Sequence, residues 1–276
     1  MNIKETVKKE LKTLGIRPDK AYGQNFICTP SAIDEIINFG RPKADENIVE
    51  IGPGLGVLTN ELLSINDITV VEIEEKFCSH LSTKYPRLTV LNEDIRFFDL
   101  TTLGEELTVF GNLPYSFSSQ ILFYLLSYYK NINRAVLLLQ KEFAERVASP
   151  PDVKAYGRLS VRAQLLAKPK LGPILPGNVF HPEASVESRV LELRFYDEPL
   201  FPVHEESSFK QLLSVSFSQR RRKLFNSLFS SGIYDRALLE DCFNKFSLDE
   251  NVRAENLSVE MFTKLSNYLS DKKPSV

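Results

Sequence analysis

Five short apolar runs rich in β-branched residues, separated by amphipathic stretches, predict an α/β protein with a mostly parallel sheet covered by helices on both faces. Two further observations complete the class. After Pro199 and Pro202 the pattern changes to helical periodicity over residues 205–270, which predicts a small all-helical region behind the sheet. Composition is that of a folded chain: 276 residues, 43% hydrophobic and 25% charged, enough to bury a sizeable core and incompatible with a disordered or low-complexity protein. The expected organisation is residues 1–200 as one domain and 201–276 as a second.

The elements follow in order. The first segment, MNIKETVKKELKTL, is too charged for a secretory signal. NIVEIG, ITVVEI, LTVLNED, LTVFGN and AVLLLQ are expected as five strands. LGVLTNELLS and SSQILFYLLSYYK read as helices between them. PKLGPILP and VLELRFY are expected as the sixth and seventh strands. The longest apolar stretch, around ILFYLLSYY, is too short to span a bilayer. Cys28, Cys78 and Cys242 lie far apart without C-x-x-C spacing, so neither a disulfide framework nor a zinc site is expected. A reducing, cytoplasmic setting without a membrane follows from these expectations.

Charge is uneven. The formal net charge is −2, yet residues 43–106 carry 5 basic and 13 acidic groups, while residues 130–170 carry 9 basic and 3 acidic ones. Such asymmetry permits a polyanionic partner on one face and a cationic ligand on another. Taken alone, charge blocks of this size equally describe solvated helix faces.

The first expected strand runs straight into Gly52-Pro-Gly54-Leu-Gly56 and a helix. A glycine turn at that junction lets the backbone approach a ligand closely. Glu72 falls at the end of the second strand, where a carboxylate accepts from ribose hydroxyls. Asp94 follows the third, where an acceptor meets an adenine amine. The spacing is G-x-G-x-G: a dinucleotide fingerprint would place its third glycine at Val57, and no G-K-[ST] follows for a P-loop. A pyrophosphate suits Glu50, Glu72 and Glu74 poorly, whereas the sulfonium and ammonium of S-adenosylmethionine suit them well. The plain alternative is a tight strand–helix turn with no ligand.

Strand four ends in Gly111-Asn112-Leu113-Pro114-Tyr115. An exocyclic adenine amine is a poor nucleophile because its lone pair is delocalised into the ring. Methylating it calls for acceptors that bind its hydrogens and favour a tetrahedral nitrogen. The Asn112 side chain and a backbone carbonyl near Leu113 form such a pair, Pro114 fixes φ and removes a competing N–H, and Tyr115 offers a face for an extruded base. An ordinary turn is the competing reading, since Asn and Pro are turn residues.

These segments, together with YGQNF (22–26), LLQKEFAERV (138–147), AYGRLSV (155–161), SQRRRK (218–223) and RAENLSV (253–259), occur in one order over nearly the whole chain. In that they resemble the KsgA family of ribosomal-RNA small subunit adenine N6-dimethyltransferases. The resemblance implies a class I (Rossmann-like) methyltransferase fold, with a seven-stranded sheet whose last strand is antiparallel and a C-terminal helical domain. It implies S-adenosylmethionine as methyl donor, no metal, and transfer of two methyls to each of two adjacent adenines near the 3′ end of 16S rRNA. The small ribosomal subunit would be the partner of a monomeric enzyme with a role in subunit maturation.

Residue by residue, the resemblance places Asn25, Ile27, Gly52, Gly54, Glu72, Asp94 and Asn112 at the cofactor. It places Asn112, Leu113, Pro114 and Tyr115 at the target amine, with Phe180 closing on the base's other face. Arg220, Arg221, Arg222 and Lys223 become RNA contacts at a helix start. Where the family pattern is F-x-P-x-P-x-V, this chain has Glu183-Ala184-Ser185 after Pro182, a departure that bears on RNA contacts of that loop. Two other functions compete: a single-adenine methyltransferase of large-subunit rRNA conferring antibiotic resistance, and a ribosome-assembly checkpoint acting by binding. AYGRLSV, SQRRRK and RAENLSV favour the dimethyltransferase. A flavin or nicotinamide oxidoreductase is disfavoured by Val57.

Overall fold

The computed structural model describes residues 3–18 and 24–272. The chain divides by internal contacts into two compact units, one of residues 1–144 and 168–197, the other of residues 145–167 and 198–276. The sequence reading has a single cut at residue 200. The excursion over Glu145–Ala167 escapes it because that stretch carries helical periodicity like its neighbours, and only its partners set it apart.

In the first unit the elements run α1 (Ile3–Thr13), β1 (Phe26–Ile27), α2 (Pro30–Gly40), β2 (Asn47–Ile51), α3 (Val57–Leu63), β3 (Ile68–Glu72), α4 (Glu75–Lys84), β4 (Thr89–Asn92), β5 (Leu107–Asn112), α5 (Ser118–Ser127) and β6 (Ile132–Gln140). The helices α6 (Lys141–Val147) and α7 (Arg158–Leu166) follow, then β7 (Ala167–Leu175), β8 (Phe180–His181) and β9 (Ser188–Phe195). Seven strands form one sheet in the order β4-β3-β2-β5-β6-β9-β7, and β1 pairs with β8 in a separate two-stranded ribbon. The pairs β2–β3, β2–β5, β3–β4 and β5–β6 are parallel, whereas β9 lies antiparallel to β6. All seven expected strands are present, and the last is the antiparallel one.

Burial explains the near-continuous apolar runs. In β5, Leu107, Thr108, Val109, Phe110 and Gly111 are all buried, as expected of a strand with helices on both faces. Phe110 reaches α2: a Cβ on Gly40 would sit 2.7 Å from its ring, so the helix packs onto the sheet only through a glycine there. Truncating a ring buried this way typically costs about 3–5 kcal/mol. The order reverses between β2 and β5; the carboxyl end of β2 aligns with β3 through Ile51↔Val71 and with β5 through Ile51↔Gly111. In open α/β sheets a ligand crevice forms outside that reversal.

The helix α1 lies behind this edge. Its Val7 and Leu11 are buried with Leu55 of the glycine turn and Phe77 of α4. Lys84 Nζ donates to Glu10 Oε1 at 2.9 Å and to the Leu55 carbonyl at 3.2 Å, tying α1 and the turn to α4.

The second unit holds α8 (Glu206–Ser216), α9 (Leu224–Phe229), α10 (Arg236–Lys245) and α11 (Val259–Asp271) beside α7. Its core is aromatic: Phe217 meets Tyr156 and Phe262, and Phe225 meets Phe243 edge-on at 5.2 Å. Tyr156 is fully buried and donates to the Leu257 carbonyl at 2.9 Å. No helix among the described residues is long and apolar enough to cross a membrane.

Candidate active site

A cleft opens at the carboxyl ends of β2, β3 and β5 and is lined by the glycine turn, Glu72, Asp94, Asn112 and Tyr115, with Asn25 from the segment before β1. Tyr22 and Gly23 of the YGQNF segment lie outside the described residues.

The glycine turn is dictated by backbone geometry. Gly52, Gly54 and Gly56 have φ of 66°, 56° and 77°, a region that favours glycine. Gly54 is restricted a second time, because a Cβ would approach the Phe26 ring to 2.9 Å. A Cβ on Gly52 would meet nothing within 4 Å, so that turn residue borders open space on the cleft side.

Glu72 is buried, with 6% of its surface exposed. Gly54 N–H donates to one carboxylate oxygen at 3.1 Å and Glu74 N–H to the other at 2.9 Å. Burial pushes this carboxyl upward and the backbone donors pull it back. With Ile73 N–H as a third backbone donor, the carboxylate keeps acceptor capacity for a ribose hydroxyl. Glu50, one strand across, is buried and accepts from Thr59 Oγ1 at 2.6 Å. Burial pushes its carboxyl to about 8, so at neutral pH it holds a proton. The sequence reading grouped Glu50 with Glu72 and Glu74 as acids facing a cationic ligand; held neutral, Glu50 supplies no such charge, and Glu74 is not among the residues that line the cleft.

Asp94 lies just beyond β4, which stops at Asn92, short of the expected strand end. Its carboxylate is engaged by Arg96: the backbone N–H and Nε donate to Oδ1 at 3.0 and 2.9 Å, and Nη2 donates to Oδ2 at 2.5 Å. These bonds hold the Asp94 carboxyl below the usual carboxylate range. The Arg96 guanidinium also covers the Phe117 ring at 4.5 Å. Neither Arg96 nor Phe117 was singled out in the sequence.

The tetrapeptide after β5 is set by β6 and by the segment before β1. Asn112 Nδ2 donates to the Asn25 carbonyl at 2.9 Å, which leaves its Oδ1 on the opposite side of the carboxamide. Leu113 is buried, and its N–H donates to the Leu138 carbonyl at 3.2 Å. The Pro114 carbonyl is taken by Phe117 N–H and the Ser118 hydroxyl, both at 3.0 Å. Among the described residues no donor reaches the Leu113 carbonyl, so it is the free acceptor beside Asn112. The Tyr115 hydroxyl shares a 2.7 Å bond with Ser188 at the start of β9, and the ring is half-buried.

Phe180 departs from the expectation. It is fully buried in the core cluster with Ile27, Ile33 and Phe110, with no ring face open to a base. Its backbone pairs with Ile27, and Cys28 N–H donates to the Val179 carbonyl at 2.8 Å. In this arrangement Phe180 packs the ribbon that carries Ile27 and does not stack. A sequence motif fixes the residue type here, but which way an aromatic points depends on the core around it.

The basic run lies in the second unit, in the turn between α8 and α9 rather than at a helix start; Lys223 is the cap before α9. Arg220 Nη2 donates to the Lys154 and Tyr156 carbonyls, and Arg222 Nη1 to Ser230 Oγ at 2.8 Å. The side chains of Arg221 and Lys223 are exposed and carry no hydrogen bond or ion pair among the described residues. No group of three or more His, Cys, Asp or Glu side chains is placed to hold a metal among the described residues.

The sheet order, the antiparallel last strand and a cleft of glycines and carboxylates at the strand reversal define a class I methyltransferase. The chain belongs to the ribosomal RNA adenine dimethylase family, whose model matches residues 16–271. It is 37% identical over 256 residues to the ribosomal RNA small subunit methyltransferase A of Nitrosospira multiformis, covering 92% of this chain and 96% of that protein. It is 35% identical to that of Latilactobacillus sakei, covering 97% and 95%. Among solved structures, a dimethyladenosine transferase from Plasmodium falciparum matches with a TM-score of 0.76 at 23% identity, over 87% of this chain and 95% of that one. The 23S rRNA methyltransferase ErmE matches with a TM-score of 0.67 at 23% identity, over 89% and 100%. Both show the same fold.

Proposed function

We propose that this enzyme dimethylates N6 of two adjacent adenines near the 3′ end of small-subunit rRNA, with S-adenosylmethionine as donor, during maturation of the small subunit. The residues present fit that cofactor. Open space beside Gly52 borders the turn and Glu72 presents a buried acceptor to a ribose hydroxyl, while Glu50, expected from sequence to face a cation, holds a proton in the fold. When bound, the cofactor supplies an activated methyl on a sulfonium. Asn25, Ile27, Gly52, Gly54, Glu72 and Asp94 would hold it.

The observation that carries the reading is the Asn112–Leu113 pair. The Asn25 carbonyl fixes the Asn112 amide, so Oδ1 and the Leu113 carbonyl are preset as two acceptors. They would take the two hydrogens of the target amine and favour a tetrahedral nitrogen whose lone pair can attack. Preset dipoles of this kind need no reorganisation in the transition state. Pro114 offers no N–H to compete, and Tyr115, held by Ser188, would stack on the extruded base. Proton loss from the methylated amine follows transfer, and neither acceptor needs to be a strong base for it.

In the second unit, Arg221 and Lys223 would meet rRNA phosphates, with Arg220 and Arg222 shaping the turn. The enzyme would act as a cytoplasmic monomer, without a metal, on the assembled or assembling subunit. The test is incubation with labelled S-adenosylmethionine and, in parallel, unmethylated small subunits and large subunits, followed by nucleoside analysis of each rRNA. N6,N6-dimethyladenosine at two neighbouring positions is expected. Label in large-subunit rRNA instead, or none in either, would overturn the proposal.

A further inference from the structure

We infer that Arg96 is a positioning residue for base recognition, presenting Asp94 with one acceptor direction for the exocyclic amine of an adenine. The inference rests on reading the cleft as the site of an adenosine-bearing cofactor. Its argument is a count of donors and acceptors. A carboxylate offers about four acceptor directions. Three N–H groups, all from Arg96, engage Asp94: the backbone N–H and Nε at Oδ1, and Nη2 at Oδ2. Nε also leans toward Oδ2, at 3.1 Å. Three hydrogens thus serve four directions, with the Nε–H shared between the two oxygens, and an adenine amine displaces its longer limb at Oδ2 to take the fourth.

The guanidinium is itself fixed. It lies over Phe117 at 4.5 Å, and Nη1 donates to Gln120 Oε1 at 3.2 Å, so α5 holds the fork that holds the carboxylate. A two-pronged fork sets the carboxylate plane, which a single ammonium would not do. The pairing also keeps Asp94 ionised, and hence acceptor-only. A ligand whose base presents a carbonyl in place of the amine would set oxygen against oxygen at this point.

Other ionisable groups share the cleft: Glu72 and Glu50 on β3 and β2, Glu93 beside Asp94, and Tyr115 after β5, while Phe117, just before α5, is neutral. Their titration affects any bound nucleoside through its ribose and amino-acid parts. A comparison of two ligands that differ only in the base cancels them.

The experiment measures binding of S-adenosyl-L-homocysteine and S-inosyl-L-homocysteine by calorimetry between pH 7 and 4.5, to the wild type, Arg96→Met and Arg96→Lys. Melting of the ligand-free variants checks that each is folded. The wild type is expected to prefer the adenosyl compound and to keep that preference as pH falls, because Asp94 titrates below the usual range. Arg96→Met should lose about three- to fivefold of the preference at pH 7, the scale of a partly exposed ion pair. The remainder should begin to decline toward pH 4.5, where a carboxylate with the ordinary value of 3.8 starts to take up a proton. Arg96→Lys restores charge without the fork and should recover the pH course more than the neutral-pH preference. An unchanged preference and pH course in a folded Arg96→Met, or tighter adenosyl binding, would overturn the role of Arg96 and leave the cofactor reading standing. Failure of the wild type to bind either compound would overturn the cofactor reading itself.

Discussion

The cleft of the first unit and the basic turn of the second use polar groups in opposite ways. In the cleft every acceptor is held by the protein before any ligand arrives. Backbone N–H groups hold Glu72, Arg96 holds Asp94, and the Asn25 carbonyl holds the Asn112 amide. In the turn, Arg220 and Arg222 bond to the protein's own oxygens, and Arg221 and Lys223 are exposed with no partner among the described residues. The difference follows from what each region must recognise. Distinguishing one amine or one diol requires fixed lone pairs in a site shielded from water. Attracting a polyphosphate chain requires only charge, which acts at a distance and tolerates mobile side chains.

Five variants sharpen or break that contrast. The largest effect belongs to Asn112→Ala, which removes a preset acceptor. Single-turnover methylation at saturating cofactor and subunit should fall about 10²–10³-fold, while subunit binding persists. A near-normal rate would mean the tetrapeptide is only a turn. Next is Glu72→Ala. Charge-assisted bonds are worth roughly 1.5–3 kcal/mol, so calorimetry should show S-adenosylmethionine affinity lower by at least about tenfold. Wild-type affinity would remove Glu72 from the site.

The turn predicts a different signature. Neutralising Arg221 and Lys223 together should weaken subunit binding and reduce the slope of log K against log salt by about two, with cofactor affinity unchanged. Arg220→Ala should lower the melting temperature more than it changes that slope, because its guanidinium bridges backbone carbonyls at Lys154 and Tyr156. Equal salt effects from both variants would erase the distinction drawn within the run.

A separate effect, on stability and not on binding, concerns Glu50. Its folded carboxyl titrates near 8 against 4.5 when unfolded. The folded state therefore binds more protons between those values, and this contribution to stability is full below 4.5 and is lost as pH rises through about 8. Glu50→Gln, which cannot ionise, should gain in melting temperature over the ligand-free wild type as pH rises from 5 to 8. Parallel melting curves across that range would show that Glu50 is ionised in the fold.

Much of the first unit is legible in the chain because its determinants are local. Strand–helix alternation, glycines with positive φ and acids at strand ends depend on neighbours in sequence, so the seven strands, the glycine turn, Glu72 and the Asn112 tetrapeptide were all placed by pattern. The strand order is less local: the resemblance brought in a seven-stranded sheet with an antiparallel last strand, and the order itself came only from the structure.

The rest was decided by packing between residues distant in sequence. Phe180 became core because β8 pairs with β1 across more than 150 residues, and no local pattern says which face of a two-residue strand is buried. Glu145–Ala167 joined the C-terminal helices because Tyr156 and the Asp152 region bond to residues near 255, not because their own periodicity differs. The helix α1, read from sequence only as a charged segment, backs the glycine turn because Val7 and Leu11 find Leu55 and Phe77. Arg96 meets Asp94 two residues away, yet its fixed orientation needs Phe117 and Gln120 of α5. Sequence by itself determined which groups stand at the edge of the sheet. Only tertiary structure decided which of them are buried, which are bonded to one another, and which remain open to a ligand, because desolvation and hydrogen-bond saturation depend on every neighbour in space.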